Sequence, residues 1–204
     1  MNPDDEAVLS AVVAETVERG YADLSAEGIA ERAGITASSF RARFPDERAA
    51  VEAAHAALFD RLISRLAQTC EAQATWPLKV KVGIGAALDL AAASPLEARF
   101  LIVDSVVADV ELARRGIEAR DRLARILAAG RTEPAGGAAA LPAVSEQVLI
   151  SGIVGVISAR LASGEAEHLP ALAPELVQLT LLPYLGPEAA AGMARRPPPT
   201  VEGL

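Results

Sequence analysis

The sequence predicts an all-α fold, in which a small amino-terminal unit of three helices is followed by a larger helical domain. Three observations predict it. Residues 24–44 read as two short helices joined at Gly34. Helix-starting residues recur at Asp46, Pro77 and Ser94-Pro95, and most of the segments that follow carry apolar residues at helical spacing. The composition is 51% hydrophobic but only 3% aromatic, so the core must be built from Leu, Val, Ile and Ala, which suits closely packed helices.

The elements follow in order. Val8, Leu9, Val12, Val13 and Val17 give the first helix an apolar face, with Asp4, Asp5 and Glu6 expected on an arm ahead of it. Ser25 can cap the second helix, whose apolar face is Ile29, Ala30 and Ala33, and Gly34 supplies the left-handed turn at its end. Thr36 caps the third. Phe40 and Phe44, four residues apart, turn one side of that helix into the core and leave Ala37, Ser38, Arg41 and Ala42 on the other. This is the layout of a helix-turn-helix, whose second helix lies in a DNA groove. Small side chains at the open positions admit a DNA backbone or base edge, and an arginine holds it.

Residues 8–52 resemble the amino-terminal domain of the TetR (tetracycline-repressor-like) family. The resemblance rests on Arg19-Gly20-Tyr21, on Ser25 and Ile29-Ala30-Glu31-Arg32-Ala33-Gly34-Ile35-Thr36, and on Phe40 and Phe44-Pro45. It implies a homodimeric transcriptional regulator, most often a repressor, that binds a double-stranded palindromic operator and releases it when a small molecule enters the second domain. Carried over position by position, it implies DNA contacts from Ser25, Thr36, Ala37, Ser38, Ser39, Arg41, Ala42 and Arg43. The chain departs from the family where an aromatic pair is usual, at Arg41 and Ala42, and where lysines are usual, near Ala37 and at Glu47. Arg41 and Arg43 are the candidates to replace those contacts, because a guanidinium binds a phosphate or a guanine edge in bidentate fashion. The alternative is a dimeric ligand-binding or protein-interaction module of the same fold whose DNA contacts have decayed.

The formal charge of −8 argues against a protein that coats nucleic acid indiscriminately. Acids outnumber bases even within residues 1–50, but Arg41, Arg43 and Arg48 cluster, which predicts a small positive ridge on an acidic body. The acidic amino terminus does not read as a leader, and the longest apolar run, Val148–Ala159, is too short and too broken by Gly and Ser to span a bilayer. With a lone Cys70, expected as a small buried hydrophobe, these features predict a cytoplasmic protein.

Domains are expected at 1–48 and 49–186, with a Pro-rich flexible tail at 187–204. Asp46 caps a long helix to about Ala74, roughly 40 Å at about 1.5 Å per residue, bearing Val51, Leu58, Phe59, Leu62, Ile63 and Leu66 on one side. Its length makes it a candidate lever between ligand and DNA. Pro77 opens a helix to about Ala93, and a stripe of Leu96, Phe100, Val103, Val107 and Val110 follows Ser94-Pro95. Residues 111–129 form a helix so charged that most of it must be wet, and 130–143 read as a loop.

The helix at 145–163 carries two stripes. Ile150, Val154, Ile157 and Leu161 suit a core, while Gly152, Gly155, Val156, Ala159 and Ser163 suit a subunit interface, together with Leu172, Leu176, Leu179 and Thr180 of a helix at 172–185. Asp104 interrupts an apolar run, and Arg99 and Gln147 flank apolar stripes; Asp104 and Gln147, with Phe59 and Phe100, are the candidate ligand-binding residues, an ordinary interhelical salt bridge being the alternative for the polar ones. No catalytic constellation is visible, Gly83-Ile84-Gly85 lacks the strand and third glycine of a nucleotide loop, and neither His55 nor His168 has metal-ligand spacing. No enzyme activity, cofactor or metal is expected.

Overall fold

The computed structural model describes residues 3–104, 110–132 and 141–197, with side chains from Asp5 onward. Val107, the middle of the 130–143 segment and Pro198-Pro199 lie outside the described residues. Every regular element among the described residues is helical. In order these are α1 (Pro3–Arg19), a 3-10 turn (Tyr21–Asp23), α2 (Ala26–Ala33), α3 (Ala37–Arg43), α4 (Glu47–Glu71), α5 (Trp76–Ala93), α6 (Pro95–Arg99), a π-turn (Phe100–Asp104), α7 (Val110–Ala128) and a 3-10 turn (Ala129–Thr132). Then come α8 (Ser145–Ala162), a 3-10 stretch (Ala166–Leu172), α9 (Ala173–Leu185) and α10 (Pro187–Arg195).

The chain divides into two compact units, Met1–Ile63 with Ser94–Glu118, and Ser64–Ala93 with Ala119–Leu204. The border therefore falls within α4 rather than at residue 48, and a segment distant in sequence rejoins the first unit. The reason is burial. Phe100 and Leu112 pack into the core formed by Val8, Val12, Ile29, Phe40, Val51 and Leu58.

In the first unit α1 starts at Pro3, so the acids expected on an arm occupy its first turn, where a carboxylate suits the positive end of the helix dipole. Asp46 caps α4 by accepting from Ala49 N–H at 2.8 Å. The stripe from Leu96 to Val110 does not form one buried face: Phe100 is fully buried, but Leu96 and Val110 are 47% and 88% exposed. The stripe is also broken in structure, because α6 ends at Arg99 and Phe100–Asp104 form a π-turn. His55 is buried, its ring stacked on Phe59 at 6.2 Å and tilted against Phe100 at 6.3 Å. Burial, and then the Arg115 guanidinium, push it below the ordinary imidazole range.

In the second unit α9 packs on α5 and α10. The segment from Pro187 is helical to Arg195, not the extended tail expected from its prolines. Gly186, at φ 77°, turns the chain, and Pro187 opens the helix where a missing N–H costs nothing. Its far end is held by buried Lys81, whose Nζ donates to the carbonyls of Met193 at 2.8 Å, Ala194 at 3.3 Å and Arg196. The Cys70 thiol is half-buried and donates to the Lys79 carbonyl at 3.4 Å, and burial pushes its pKa up. Gly83 makes room for it, since a Cβ there would sit 3.1 Å from the sulfur.

A second glycine is required by contact. A Cβ on Gly130 would lie 2.2 to 2.5 Å from three atoms of the Trp76 ring, which packs at 4.8 Å against the buried ring of Tyr184. The Tyr184 hydroxyl donates to Glu146 Oε1 at 2.9 Å, and Arg131 grips the same carboxylate at 2.7 and 2.8 Å while donating to the carbonyls of Leu141 and Pro142. Helix α8 is longer than the apolar run within it; its 18 residues have a mean hydropathy of 1.3, so by length and composition alone it reaches the range of a short membrane-crossing helix.

The bidentate Arg131 bond holds the Glu146 carboxyl below the usual carboxylate range, against the opposing effect of burial. A carboxylate with a depressed folded pKa stabilises the fold at pH values above its unfolded pKa, and that contribution is lost as pH falls through the folded value. Glu146→Gln should therefore cost about 1.5–3 kcal/mol at neutral pH for a charge-assisted bond and flatten the acid limb of stability. Urea midpoints measured from neutral pH into the acid range, on wild type and variant, check this through the fluorescence of the single tryptophan.

Candidate nucleic-acid interface

Helices α2 and α3 meet at Gly34, whose φ of 71° puts it in the left-handed region. Its N–H bonds back to α2 at Glu31 O, and Ile35 N–H to Ala30 O at 2.9 Å, which closes the helix end. Ser25 Oγ caps α2 by accepting from Gly28 N–H at 3.2 Å, and Thr36 Oγ1 caps α3 by accepting from Ser39 N–H at 3.1 Å. The Thr36 hydroxyl also bonds the hydroxyls of Ser38 at 2.9 Å and Ser39 at 2.8 Å. Three of the expected contact residues thus form one hydroxyl cluster at the start of α3.

Phe40 sets the outward face of α3. It is fully buried among α1, α2 and α4 residues, and its ring lies 5.4 Å from that of Phe44. Thr36, Ser38, Arg41, Ala42 and Arg43 are exposed, while Ser25 and Ser39 are half-buried. Ala37, expected on the open side, is half-buried and packs against the core. It is small and sits beside the Thr36 cap.

The charges are arranged differently from the open positive ridge that clustering of Arg41, Arg43 and Arg48 predicts. Arg41 pairs with Glu27 of α2, Arg43 with Asp5 of α1 at 3.4 Å, and Arg48 with Glu52 at 2.9 Å. The two remaining bases of residues 1–50 are also engaged: Arg19 lies 3.1 Å from Glu15, and Arg32 bridges Glu15 at 2.7 Å and Glu18. The Arg41 hydrogen bond holds the Glu27 carboxyl below the usual carboxylate range. Glu47, where a family lysine is usual, ties α4 to α2, because its Oε1 accepts from the Ala26 N–H at the start of α2 at 2.8 Å. Sequence reasoning missed Asp5, Glu27 and Glu47 as site residues. The spacing of Glu47 and Ala26, 21 residues apart, carries no local signal.

The other candidate residues are scattered. Phe59 and Phe100 meet at His55 in the first unit, and Asp104 of that unit pairs with Arg99 at 3.1 Å. Burial pushes the Asp104 pKa up against the opposing pull of Arg99. Gln147, in the second unit, is exposed and donates to Asp121 at 3.4 Å. On α8, Gly152, Gly155, Val156 and Ala159 are all exposed, and Val148 beside them is 65% exposed. On α9 Leu179 is 57% and Leu182 39% exposed, but Leu176 is buried and Thr180 points inward, its hydroxyl donating to Leu176 O at 2.7 Å. The outer face of α9 is thus Leu179 and Leu182 rather than Leu176.

The described residues define an all-helical protein with an amino-terminal helix-turn-helix. No protein-family model matches the sequence, and no curated protein matches it. Solved structures do. The fatty acid degradation regulator FadR of Bacillus halodurans superposes with a TM-score of 0.79 at 15% identity, covering 89% of this chain and 96% of that one. FadR of Bacillus subtilis, solved in complex with stearoyl-CoA, gives 0.70 at 18% identity over 89% and 98%. A TetR-like transcriptional regulator from Rhodococcus sp. RHA1 gives 0.66 at 18% identity over 83% and 93%. The chain has the TetR-like fold.

Thr36 is the cap on which the start of α3 depends. Thr36→Ala should cost about 1 kcal/mol, the usual worth of an N-cap, and free the hydroxyls of Ser38 and Ser39. Thermal unfolding followed by circular dichroism checks the cost, and Thr36→Ser should recover most of it.

Proposed function

We propose that this chain is a sequence-specific DNA-binding transcriptional regulator, a repressor that a small-molecule ligand releases from its operator. The observation that carries this reading is the exposed α3 face, with Arg41, Ser38 and Thr36 presented outward by the burial of Phe40. The TetR-like fold supports it, as do the resemblance of residues 8–52 to that family's DNA-binding domain and the absence of a catalytic constellation from the sequence. Ser25, Thr36, Ser38, Ser39, Arg41, Ala42 and Arg43 form the DNA-facing set, Ala37 being turned toward the core, and the protein works in the cytoplasm. Domain roles follow the fold: the amino-terminal helices bind DNA, and the helices after α4 bind ligand and dimerise.

Dimerisation is proposed through the outer faces of α8 and α9. Val148, Gly152, Gly155, Val156 and Ala159 recur at helical spacing on exposed α8, and Leu179 and Leu182 are exposed on α9. An apolar face of this kind needs a cover, and a second copy supplies it while pairing two reading helices. Half-sites read by a symmetric dimer lie about 34–36 Å apart, so small tilts of the reading heads spoil the match. For the ligand, the fold's likeness to FadR in complex with stearoyl-CoA makes a long-chain acyl-CoA the first compound to test. The competing reading, a module with decayed DNA contacts, draws on Ala42 standing open on α3 and on the carboxylate partner of every arginine in residues 1–50.

Arg41→Ala should cost about 1–3 kcal/mol of operator affinity if Arg41 reads a base, or weaken all sequences alike if it grips phosphate. Fluorescence anisotropy at fixed salt, with duplexes from the DNA flanking the protein's own gene, distinguishes the two; undiminished affinity removes Arg41 from the interface. A Cβ added at Gly155 meets nothing within 4 Å inside the chain, so Gly155→Leu starts from an open position on α8 and probes the subunit contact. It should overpack that contact by about 1–3 kcal/mol and shift light scattering at micromolar concentration from dimer toward monomer.

A further inference from the structure

We propose that Glu27 is an intramolecular anion that occupies, in the free protein, the place a DNA phosphate takes on Arg41, so that binding exchanges carboxylate for phosphate. The inference rests on the DNA-binding reading of α3 and deepens it. The Arg41 guanidinium on the exposed face of α3 is chemically suited to a phosphate oxygen. It already holds a carboxylate, that of Glu27 from α2.

The Glu27 pair is open to water, with 66% of the Glu27 side chain and 56% of the Arg41 side chain exposed. An ion pair this exposed is weakly held, so a phosphate displaces the carboxylate readily. The displaced carboxylate stays on the same helix face and repels the phosphate that replaced it. Binding is therefore weaker than the number of arginines implies, and most so for DNA that offers only its backbone. Base contacts must supply what the phosphates do not. This arrangement suits a protein of net charge −8, which has no surplus of bases with which to hold random DNA.

The test uses Glu27→Gln, which keeps the shape and an accepting oxygen while removing the charge, in the full-length protein. The probe is a fluorescein-labelled mixed-sequence duplex of about 30 base pairs, alongside the duplex from the gene-flanking DNA. Glu27→Gln should bind the mixed-sequence duplex about two- to fivefold more tightly at low salt, with the gain shrinking as salt rises. In an Arg41→Ala background the Glu27→Gln gain should shrink to the part that repulsion alone contributes, because no guanidinium remains to be released. Unchanged affinity in Glu27→Gln, or an equal gain with Arg41 absent, overturns the exchange while leaving the regulator reading intact. Failure of the wild type and every variant to bind either duplex overturns the regulator reading, and the exchange with it.

Discussion

Burial of Phe40 is the constraint on which the reading face depends. Its ring is fully enclosed, a contribution of about 1.5–3 kcal/mol for a side chain of this kind, and it can be enclosed in only one rotational setting of α3. That setting sends Arg41, Ala42 and Ser38 outward. The turn at Gly34 and the caps at Ser25 and Thr36 keep the two short helices from fraying, since helices of eight and seven residues do not stand alone in water. Packing and capping therefore act together. Without the core contact the caps would hold helices of undefined orientation, and without the caps the core contact would lack a helix to orient.

Charge on this unit is organised by proximity rather than by sequence clustering. The arginines grouped at 41, 43 and 48 look like an open cationic ridge when read along the chain. Folding brings Asp5 from α1 and Glu27 from α2 against the first two, and Glu47 folds back to the start of α2. Arg41 and Arg43 are both paired in the free state, and their charge turns outward only toward an anion that replaces these carboxylates. An acidic chain can in this way carry a DNA-facing helix without holding nucleic acid indiscriminately.

The second unit relies on a different device, buried polar groups whose partners come from remote segments. Glu146 is shared by Arg131 and Tyr184, and Lys81 closes the end of α10 across more than a hundred residues. Such groups are costly to bury unless fully bonded, so they fix one arrangement of α5, α8, α9 and α10 more sharply than aliphatic packing alone. Against this fixed interior, α8 and α9 keep an apolar outer face that the protomer does not cover.

The sequence by itself determined the helical class, the starts of α2, α3 and α4, and the turn at Gly34, because periodicity, caps and a left-handed glycine are local properties expressed within a few residues. It also determined which side of α3 is apolar, since Phe40 and Phe44 lie one turn apart. Only the tertiary structure decided the partners of the arginines, the return of residues 94–118 to the first unit, the inward turn of Leu176 and the helical state of 187–195. Each of these is settled by a contact between residues far apart in the chain. The Lys81 ammonium on the α10 carbonyls is the plainest instance: prolines and alanines near the carboxy terminus carry no trace of the lysine that closes their helix.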